Sequence, residues 1–383
     1  MIFKGGCGLM RIVEHREIYR DQRFHAAFPS VAKFSDGRVV LAFRRARDAM
    51  WLVPTEKRED SDTFSRMDHI DSRSHIALMT LDSEGRPDAS PLDLLPFDPE
   101  AGDQDPSMLM LPDDELMLAS FSYYPLPSEV DQLMRVREKT KDETPGCRYL
   151  SWGCHVSRRK RAPGDWCFHH AYLKPDGGYG RYIGVEQRHP VVAAVRGLPA
   201  RMADEVLLAV YSGVTEGCAL FASSDSGRTW GFRSLIAKDN AGGVTYQEPA
   251  LLATADGGVR VFFRTAGAGG RLATCQSPNG IDWSEPCLHD LIGHPFHPLQ
   301  LDDGRVLLSY GYRQEPYGIR ARILDTPYSD PDDSEEIVVR DDGLCADIGY
   351  PWGVELKDGR VMLAYYWTDK HGMRGIEASW LEL

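Results

Sequence analysis

One phrase recurs through this 383-residue chain: a proline, a short apolar run, an Asp-Gly turn and a second apolar run. Near the N-terminus it reads Phe28-Pro29-Ser30-Val31-Ala32-Lys33-Phe34-Ser35-Asp36-Gly37-Arg38-Val39-Val40-Leu41-Ala42-Phe43-Arg44. Near the C-terminus it reads Tyr350-Pro351-Trp352-Gly353-Val354-Glu355-Leu356-Lys357-Asp358-Gly359-Arg360-Val361-Met362-Leu363-Ala364-Tyr365. In both, Pro stands seven residues before the turn Asp, and the same spacing separates Pro249 from Asp256 and Pro106 from Asp113. A fifth copy runs from His294-Pro295 through Asp303-Gly304. A sixth, with a longer turn, runs from His189-Pro190-Val191-Val192 to Val206-Leu207-Leu208-Ala209-Val210-Tyr211. An Asp-Gly turn between two such runs is a strong hairpin signal. Six hairpins at spacings of about 45 to 85 residues leave room for two more strands each, which makes a four-stranded blade. The expected fold is all-β: a six-bladed β-propeller of four-stranded antiparallel blades, forming a single domain over residues 1–383. A β-sandwich would make the regular Pro-to-Asp spacing a coincidence. Ring closure is expected from Ile12-Val13-Glu14-His15 pairing beside Ile376-Glu377-Ala378-Ser379-Trp380.

Composition agrees with many short strands. The chain is 42% hydrophobic and 10% aromatic, with 36 Gly and 24 Pro. A formal charge of −13 argues against a nucleic-acid or anionic-membrane surface, although local arginines can still bind a small anion. No apolar run approaches the ~18 residues that span a bilayer. The segment from Met1 to Val13 has no apolar stretch of a secretory signal, so a cytoplasmic location is expected. The eight cysteines form no Cys-x-x-Cys pair and are expected to be buried free thiols, with no metal and no cofactor. Two charged stretches fit no blade: 50–68, expected as a mobile loop over the first blade, and 126–142, which could contain a short helix.

The segment Ser223-Ser224-Asp225-Ser226-Gly227-Arg228-Thr229-Trp230 has the chemistry of a tight hairpin. Asp225 can accept backbone N–H bonds, Gly227 supplies a positive φ, and Trp230 can tuck beneath the corner. Ser277-Pro278-Asn279-Gly280-Ile281-Asp282-Trp283 is a degraded copy, and Thr80-Leu81-Asp82-Ser83-Glu84-Gly85 a fainter one. The pattern Ser-x-Asp-x-Gly-x-Thr-Trp resembles the Asp-box of the sialidase superfamily of β-propellers. That repeat marks the hairpin between the outer strands and lies away from the active site.

In a propeller, ligands bind where the innermost strands converge on the axis. Polar residues flanking the repeated hairpins are therefore grouped as site candidates: Arg44, Arg45, Arg47, Glu248, Arg264, Arg313 and Tyr350, with His189, His294 and His297. Arg44 and Arg264 both stand eight residues past a turn Asp, which is more than scattered surface arginines would give. The sialidase resemblance implies roles for this set. Glu248 and Arg264, sixteen residues apart, match the Glu and Arg of a middle blade, and Tyr350 matches the Tyr that opens the last one. Arg47 matches an Arg of the first blade, Asp71 or Asp68 the Asp of the loop beyond it, and Arg313 or Arg320 the Arg of the fifth. The family's Arg-Ile-Pro opening is absent. This chain reads Ala27-Phe28-Pro29, so the first of three clamp arginines is missing, and Arg44, Arg45 or Arg23 would have to fill its space.

Arginine forks bind a carboxylate in bidentate fashion. A tyrosine, with a reference pKa near ~10, needs a base to become a nucleophile, and Glu248 could take its proton. A neutral nucleophile also suits an anionic sugar, which would repel a carboxylate. The resemblance thus implies a retaining exo-glycoside hydrolase for a terminal acidic sugar, sialic acid or a related keto-acid or uronic sugar, with Asp71 or Asp68 as acid/base. Each residue also has a plainer explanation: Tyr350 as a buried strand-start tyrosine, Glu248 as a turn cap, the histidines as structural. Two rivals remain. His189, His294 and His297 with Tyr and Arg could perform β-elimination on a uronic-acid glycan, as propeller lyases do, or the propeller could bind sugar without catalysis.

Overall fold

A computed structural model of the chain describes residues 10–47, 73–95, 102–127, 140–144, 147–160, 166–169, 194–212, 217–239 and 242–383. The apolar runs after each turn are buried on both faces. In Val361–Thr368, the side chains of Val361, Leu363, Tyr365 and Trp367 pack with Leu307 and Ile319 of the preceding blade. Met362, Ala364 and Tyr366 of the same strand pack the other way, against Leu41 and Phe43 of the first blade. A strand with two apolar faces must lie between two other layers. Repeating that demand around a ring produces, among the described residues, six apolar clusters, each made of two neighbouring blades. Fully burying one such Val, Leu or Phe stabilises by about 1.5–3 kcal/mol, so the ring is held by its inter-blade layers.

The result is the six-bladed propeller of four-stranded antiparallel blades that the repeat predicts. Blade 1 runs through Phe24–Lys33, Val39–Arg47, His75–Leu81 and Asp93–Leu94. Blade 4 runs through Thr245–Ala253, Val259–Ala266, Arg271–Ser277 and Cys287–Ile292. Blade 5 uses Phe296–Gln300, Val306–Tyr312, Gly318–Leu324 and Ile337–Arg340. Blade 6 takes Gly349–Glu355, Val361–Thr368 and Arg374–Glu382 from the C-terminus, and its fourth strand is Arg11–Tyr19. His15 lies opposite Ser379, and Glu14 opposite Trp380, so the ring closes as expected.

Blades 2 and 3 are less regular. The inner strand of blade 2 is split into Gly102–Asp103 and Ser107–Met110, and Thr140–Thr144 adds a strand beside Cys147–Arg159. In blade 3 the partner of Glu205–Ser212 is Ala200–Met202, closed by a tight turn in which Ala203 has φ 52°. The expected start at His189-Pro190-Val191-Val192 lies outside the described residues; among those described, the bridge Ala194–Tyr211 precedes the strand. Residues 50–68 and 128–139 also lie outside them. Among the described residues no helix is long and apolar enough to cross a membrane. Cys154, Cys218 and Cys275 are buried, as expected, but Cys287 is exposed and Cys345 half-buried, which corrects the expectation for those two.

The Ser223–Trp230 segment joins the third and fourth strands of blade 3, and its polar groups are consumed within the turn. Asp225 accepts from the N–H groups of Arg228 and Thr229 at 2.9 and 2.8 Å, and from the Thr229 hydroxyl at 2.7 Å. Partial burial would raise its carboxyl, but the bonds from Thr229, Ser223 and Arg228 bring it down to about 2. Trp230 donates Nε1–H to the Gly227 carbonyl at 3.1 Å, and Gly227 has φ 82°. The Ser277–Trp283 copy keeps the logic with an amide: Asn279 Oδ1 accepts from Ile281 and Asp282, both at 2.9 Å. Its Trp283 donates to Ser234 of the neighbouring blade at 2.9 Å.

Candidate active site

Three blades share an unusual backbone step. Phe28, Glu248 and Tyr350 each precede a proline and have φ of 56°, 50° and 54°. A proline disfavours the ordinary helical conformation in the residue before it, and a non-glycine residue at positive φ costs on the order of 1 kcal/mol. In all three blades the step coincides with a shift in strand register: between Ala27 and Ser30, Gln247 and Ala250, and Gly349 and Trp352. Such a bulge re-aims a side chain, and these converge. Phe28 and Tyr350 have ring centroids 4.7 Å apart, and the Tyr350 hydroxyl donates to Glu248 Oε1 in a short hydrogen bond.

Around this pair the second strands supply matched positions. Arg44 lies opposite Ala27, Arg264 opposite Gln247, and Tyr366 opposite Gly349. Arg264 Nη1 stands 3.3 Å from both oxygens of Glu248. Blade 5 carries Gly311 near the equivalent place, where a Cβ would come 2.5 Å from the His294 carbonyl and 3.0 Å from Gly349 Cα. Blades 5 and 6 therefore meet backbone to backbone. Arg313, two residues on, reaches inward with its Cζ 5.3 Å from the Tyr350 ring centroid. It donates to the Ile348 carbonyl at 3.1 Å and to the Tyr366 hydroxyl at 2.6 Å, and Tyr366 in turn donates to Asp347 at 2.8 Å.

The electrostatics set the resting protonation. Burial raises the Tyr350 phenol, and the Glu248 charge raises it further, against the opposing arginines. Burial also pushes Glu248 upward, but Arg264, the Tyr350 hydroxyl, Arg196 and Arg313 outweigh it and hold the carboxyl below its ordinary value. At neutral pH the proton therefore rests on Tyr350 and the charge on Glu248, a charge-assisted bond that aims the phenol proton at a base. Glu248, in turn, raises Arg264.

The expected residues divide clearly. Tyr350, Glu248, Arg264 and Arg313 come together. Arg44 is fully buried, and its charge, with that of Arg196, bears on Asp105. His294 is lowered to about 4 by burial, then by Arg264 and Arg313, so it is a neutral imidazole beside them, with Nδ1 buried and without a hydrogen-bond partner among the described residues. His297 stacks on Trp352, with centroids 4.7 Å apart, and burial brings it to about 3. Arg320 does not join them: it lies on the third strand of blade 5 and donates to the carbonyls of Arg340, Pro316 and Ile319. Arg47 is exposed at the end of its strand, opposite Phe24. Neither Arg45 nor Arg23 fills the place left by Ala27. Arg45 stacks 4.0 Å over Phe24 and donates to His75 and Tyr19, and Arg23 pairs with Asp21. Asp68, Asp71 and His189 lie outside the described residues.

Several axial residues were missed. Asp105 precedes Pro106 as Tyr350 precedes Pro351, so the Pro-to-turn spacing already marked it. Burial, with the Glu248 charge adding to it against Arg196 and Arg44, raises Asp105 to about 6. Tyr366, eight residues past Asp358, occupies the place of Arg44 and Arg264 and was equally legible. Arg196 had no such signal, because the spacing fails in blade 3. Among the described residues, the group with metal-like donors is His289, Asp330 and Asp332. It belongs to the outer part of blades 4 and 5, and Asp332 already accepts from the Asp290 N–H at 3.1 Å.

The chain is similar over nearly its whole length to a protein of unknown function from Dyadobacter fermentans DSM 18053. The two are 32% identical, the match covers 98% of this chain and 99% of that one, and the TM-score is 0.84. The fold is shared with the NanB sialidase of Streptococcus pneumoniae, in its K499G mutant, at 13% identity and a TM-score of 0.63, covering 94% of this chain and 70% of that one. It is shared also with the intramolecular trans-sialidase of Ruminococcus gnavus at 13% identity and a TM-score of 0.56, covering 93% and 94%. No protein-family model and no curated protein sequence matches the chain.

Proposed function

Starting from its membership in the family of the Dyadobacter fermentans protein, we propose that this chain is a retaining glycoside hydrolase of the sialidase superfamily, acting on a terminal acidic sugar. The observation that carries the proposal is the Tyr350 hydroxyl on Glu248, with Arg264 on the carboxylate and Arg313 beside the ring. Glu248 takes the phenol proton as Tyr350 Oη attacks the anomeric carbon, and the departing oxygen is protonated by Asp71 or Asp68. Water then attacks the anomeric carbon, the same carboxylate acting as base, and Tyr350 recovers its proton from Glu248. Arg264 and Arg313 bind the substrate carboxylate; with Ala27 in place of a third arginine, that clamp has two prongs. The Ser223–Trp230 hairpin is the Asp-box of this superfamily and takes no part in the chemistry.

His294 favours a second reading: a neutral imidazole in the field of Arg264 and Arg313, its buried Nδ1 without a hydrogen-bond partner among the described residues, is where a lyase would abstract a proton from a uronic acid. Its lowered basicity ranks that reading second. A panel of fluorogenic acidic glycosides and uronate polymers, run with wild type and Tyr350→Phe, separates them. Hydrolysis lost in Tyr350→Phe is expected. An unsaturated, ultraviolet-absorbing product would replace the hydrolase by a lyase, and sugar binding without turnover would leave a non-catalytic propeller.

A further inference from the structure

Arg196 comes from the segment that leads into blade 3, and it is fully buried at the axis. The segment lies along the inner strand of blade 4, where the Leu251 N–H donates to the Leu198 carbonyl at 2.9 Å. Gly197, with φ +137°, passes so near that a Cβ there would stand 2.1 Å from the Pro249 carbonyl oxygen. Only glycine permits that approach, and it sets Arg196 beside the Glu248-Pro249 step. The guanidinium then donates to the carbonyl of Pro29 at 3.3 Å and of Pro106 at 3.2 Å. Its Cζ lies 4.9 Å from the Tyr350 ring centroid and 5.2 Å from that of Trp352, the residues on either side of Pro351. Arg196 thus touches the residue-proline steps of blades 1, 2 and 6, which present Phe28, Asp105 and Tyr350, and its neighbour Gly197 touches that of blade 4, which presents Glu248.

We propose that Arg196 is a positioning residue of the Tyr350–Glu248 pair: it ties the residue-proline steps of blades 1, 2 and 6 together, beside the blade 4 step on which Gly197 rests, and seats a permanent positive charge on the Tyr350 ring. In this chain, where Ala27 leaves blade 1 without a clamp arginine, that charge comes from blade 3 and from inside the ring. Its field reaches both carboxyls of the site, Asp105 and Glu248. A cation over an aromatic face, desolvated as here, also restrains the ring's orientation. The catalytic consequence rests on the glycoside-hydrolase reading; the structural consequence rests on the contacts alone.

Two variants divide charge from bulk. Arg196→Lys keeps the charge and can reach one carbonyl, whereas Arg196→Gln keeps a planar donor and loses the charge and the cation–π contact. In crystal structures of the two, Arg196→Lys should retain the Tyr350 hydroxyl on Glu248, and Arg196→Gln should move it away by about 1 Å. On a hydrolysed acidic glycoside, a displacement of that size should lower kcat about 10²-fold in Arg196→Gln with KM nearly unchanged, and Arg196→Lys should recover most of it. An undisturbed Tyr350–Glu248 contact in Arg196→Gln, or equal losses in both variants, overturns the proposal. Should Arg196→Gln not fold, Arg196→Lys decides alone: a broken contact with the charge still present overturns it. A wild-type chain that hydrolyses no acidic glycoside sinks the hydrolase reading, and the two crystal structures still decide the role of Arg196.

Discussion

Two carboxylates in this molecule are each gripped by several partners, one at the rim and one at the axis. Asp225 finds its partners within four residues of itself, and all belong to one turn. Glu248 is held by Arg264, sixteen residues away, and by Tyr350, 102 residues away, with two blades meeting to bring them together. The partners of Asp225 are backbone amides and hydroxyls that keep their protons throughout the accessible pH range. Those of Glu248 are ionisable, Tyr350 buried and Arg264 half-buried, so moving one proton changes the energy of every neighbour. The first arrangement stiffens a scaffold; the second can do chemistry.

Substitutions should separate the two regions sharply. The largest effect is expected from Tyr350→Phe, which removes the proposed nucleophile and leaves the ring contacts with Phe28 and Arg196. Turnover of an acidic glycoside should fall on the order of 10³-fold or more, with the melting temperature nearly unchanged. Retained turnover there would place the chemistry elsewhere. Glu248→Gln should cost activity by roughly 10²–10⁴-fold and, unlike Tyr350→Phe, also stability, by about 3 kcal/mol in denaturant unfolding, because Arg264 loses its buried counter-charge.

The pH dependence of stability gives a finer comparison between two axial acids. Glu248 is held below its ordinary value in the fold. Its contribution is present above the unfolded value and is lost as pH falls through the folded one. Asp105 goes the other way, from 3.8 to about 6. The native state binds a proton more tightly there, so stability declines as pH rises from about 4 to about 6, by up to roughly 3 kcal/mol. Urea titrations of wild type and Asp105→Asn between pH 4 and 7 check this: the decline should be present in the first and much reduced in the second. The smallest effect belongs to the rim. Asp225→Ala should lower stability by roughly 1–2 kcal/mol through lost turn hydrogen bonds and leave kcat/KM unchanged. A tenfold loss of activity there would erase the distinction between rim and axis.

The same contrast explains what the sequence made legible. Hairpins are short-range objects, and Asp-Gly turns, alternating runs and the Ser223–Trp230 segment are written in consecutive residues, so the blades and the closing strand could be read directly. At the axis, legibility followed the repeat. Glu248, Arg264 and Tyr350 stood at repeated positions and were found, as was Arg313, which flanks the fifth hairpin. Asp105 and Tyr366 stood at the same positions and were passed over, because Asp before Pro and Tyr after a strand look ordinary until four blades are superposed. Arg196 was out of reach: its place depends on Gly197 lying against the Pro249 carbonyl, a contact between blades that leaves no periodic trace. Arg320 was misleading for the reverse reason, since an arginine near a strand end looks inward until its guanidinium is found to serve backbone carbonyls of its own blade.

In the proposed reaction Tyr350, deprotonated by Glu248, forms the bond to the sugar. Mass spectrometry of the protein treated with a fluorinated acidic-sugar inactivator, which slows breakdown of a glycosyl–enzyme intermediate, tests it most directly. A sugar adduct is expected on the proteolytic peptide that contains Tyr350, absent from Tyr350→Phe and greatly slowed in Glu248→Gln. An adduct on a carboxylate instead, or an unlabelled protein that still turns over the parent glycoside, would contradict it.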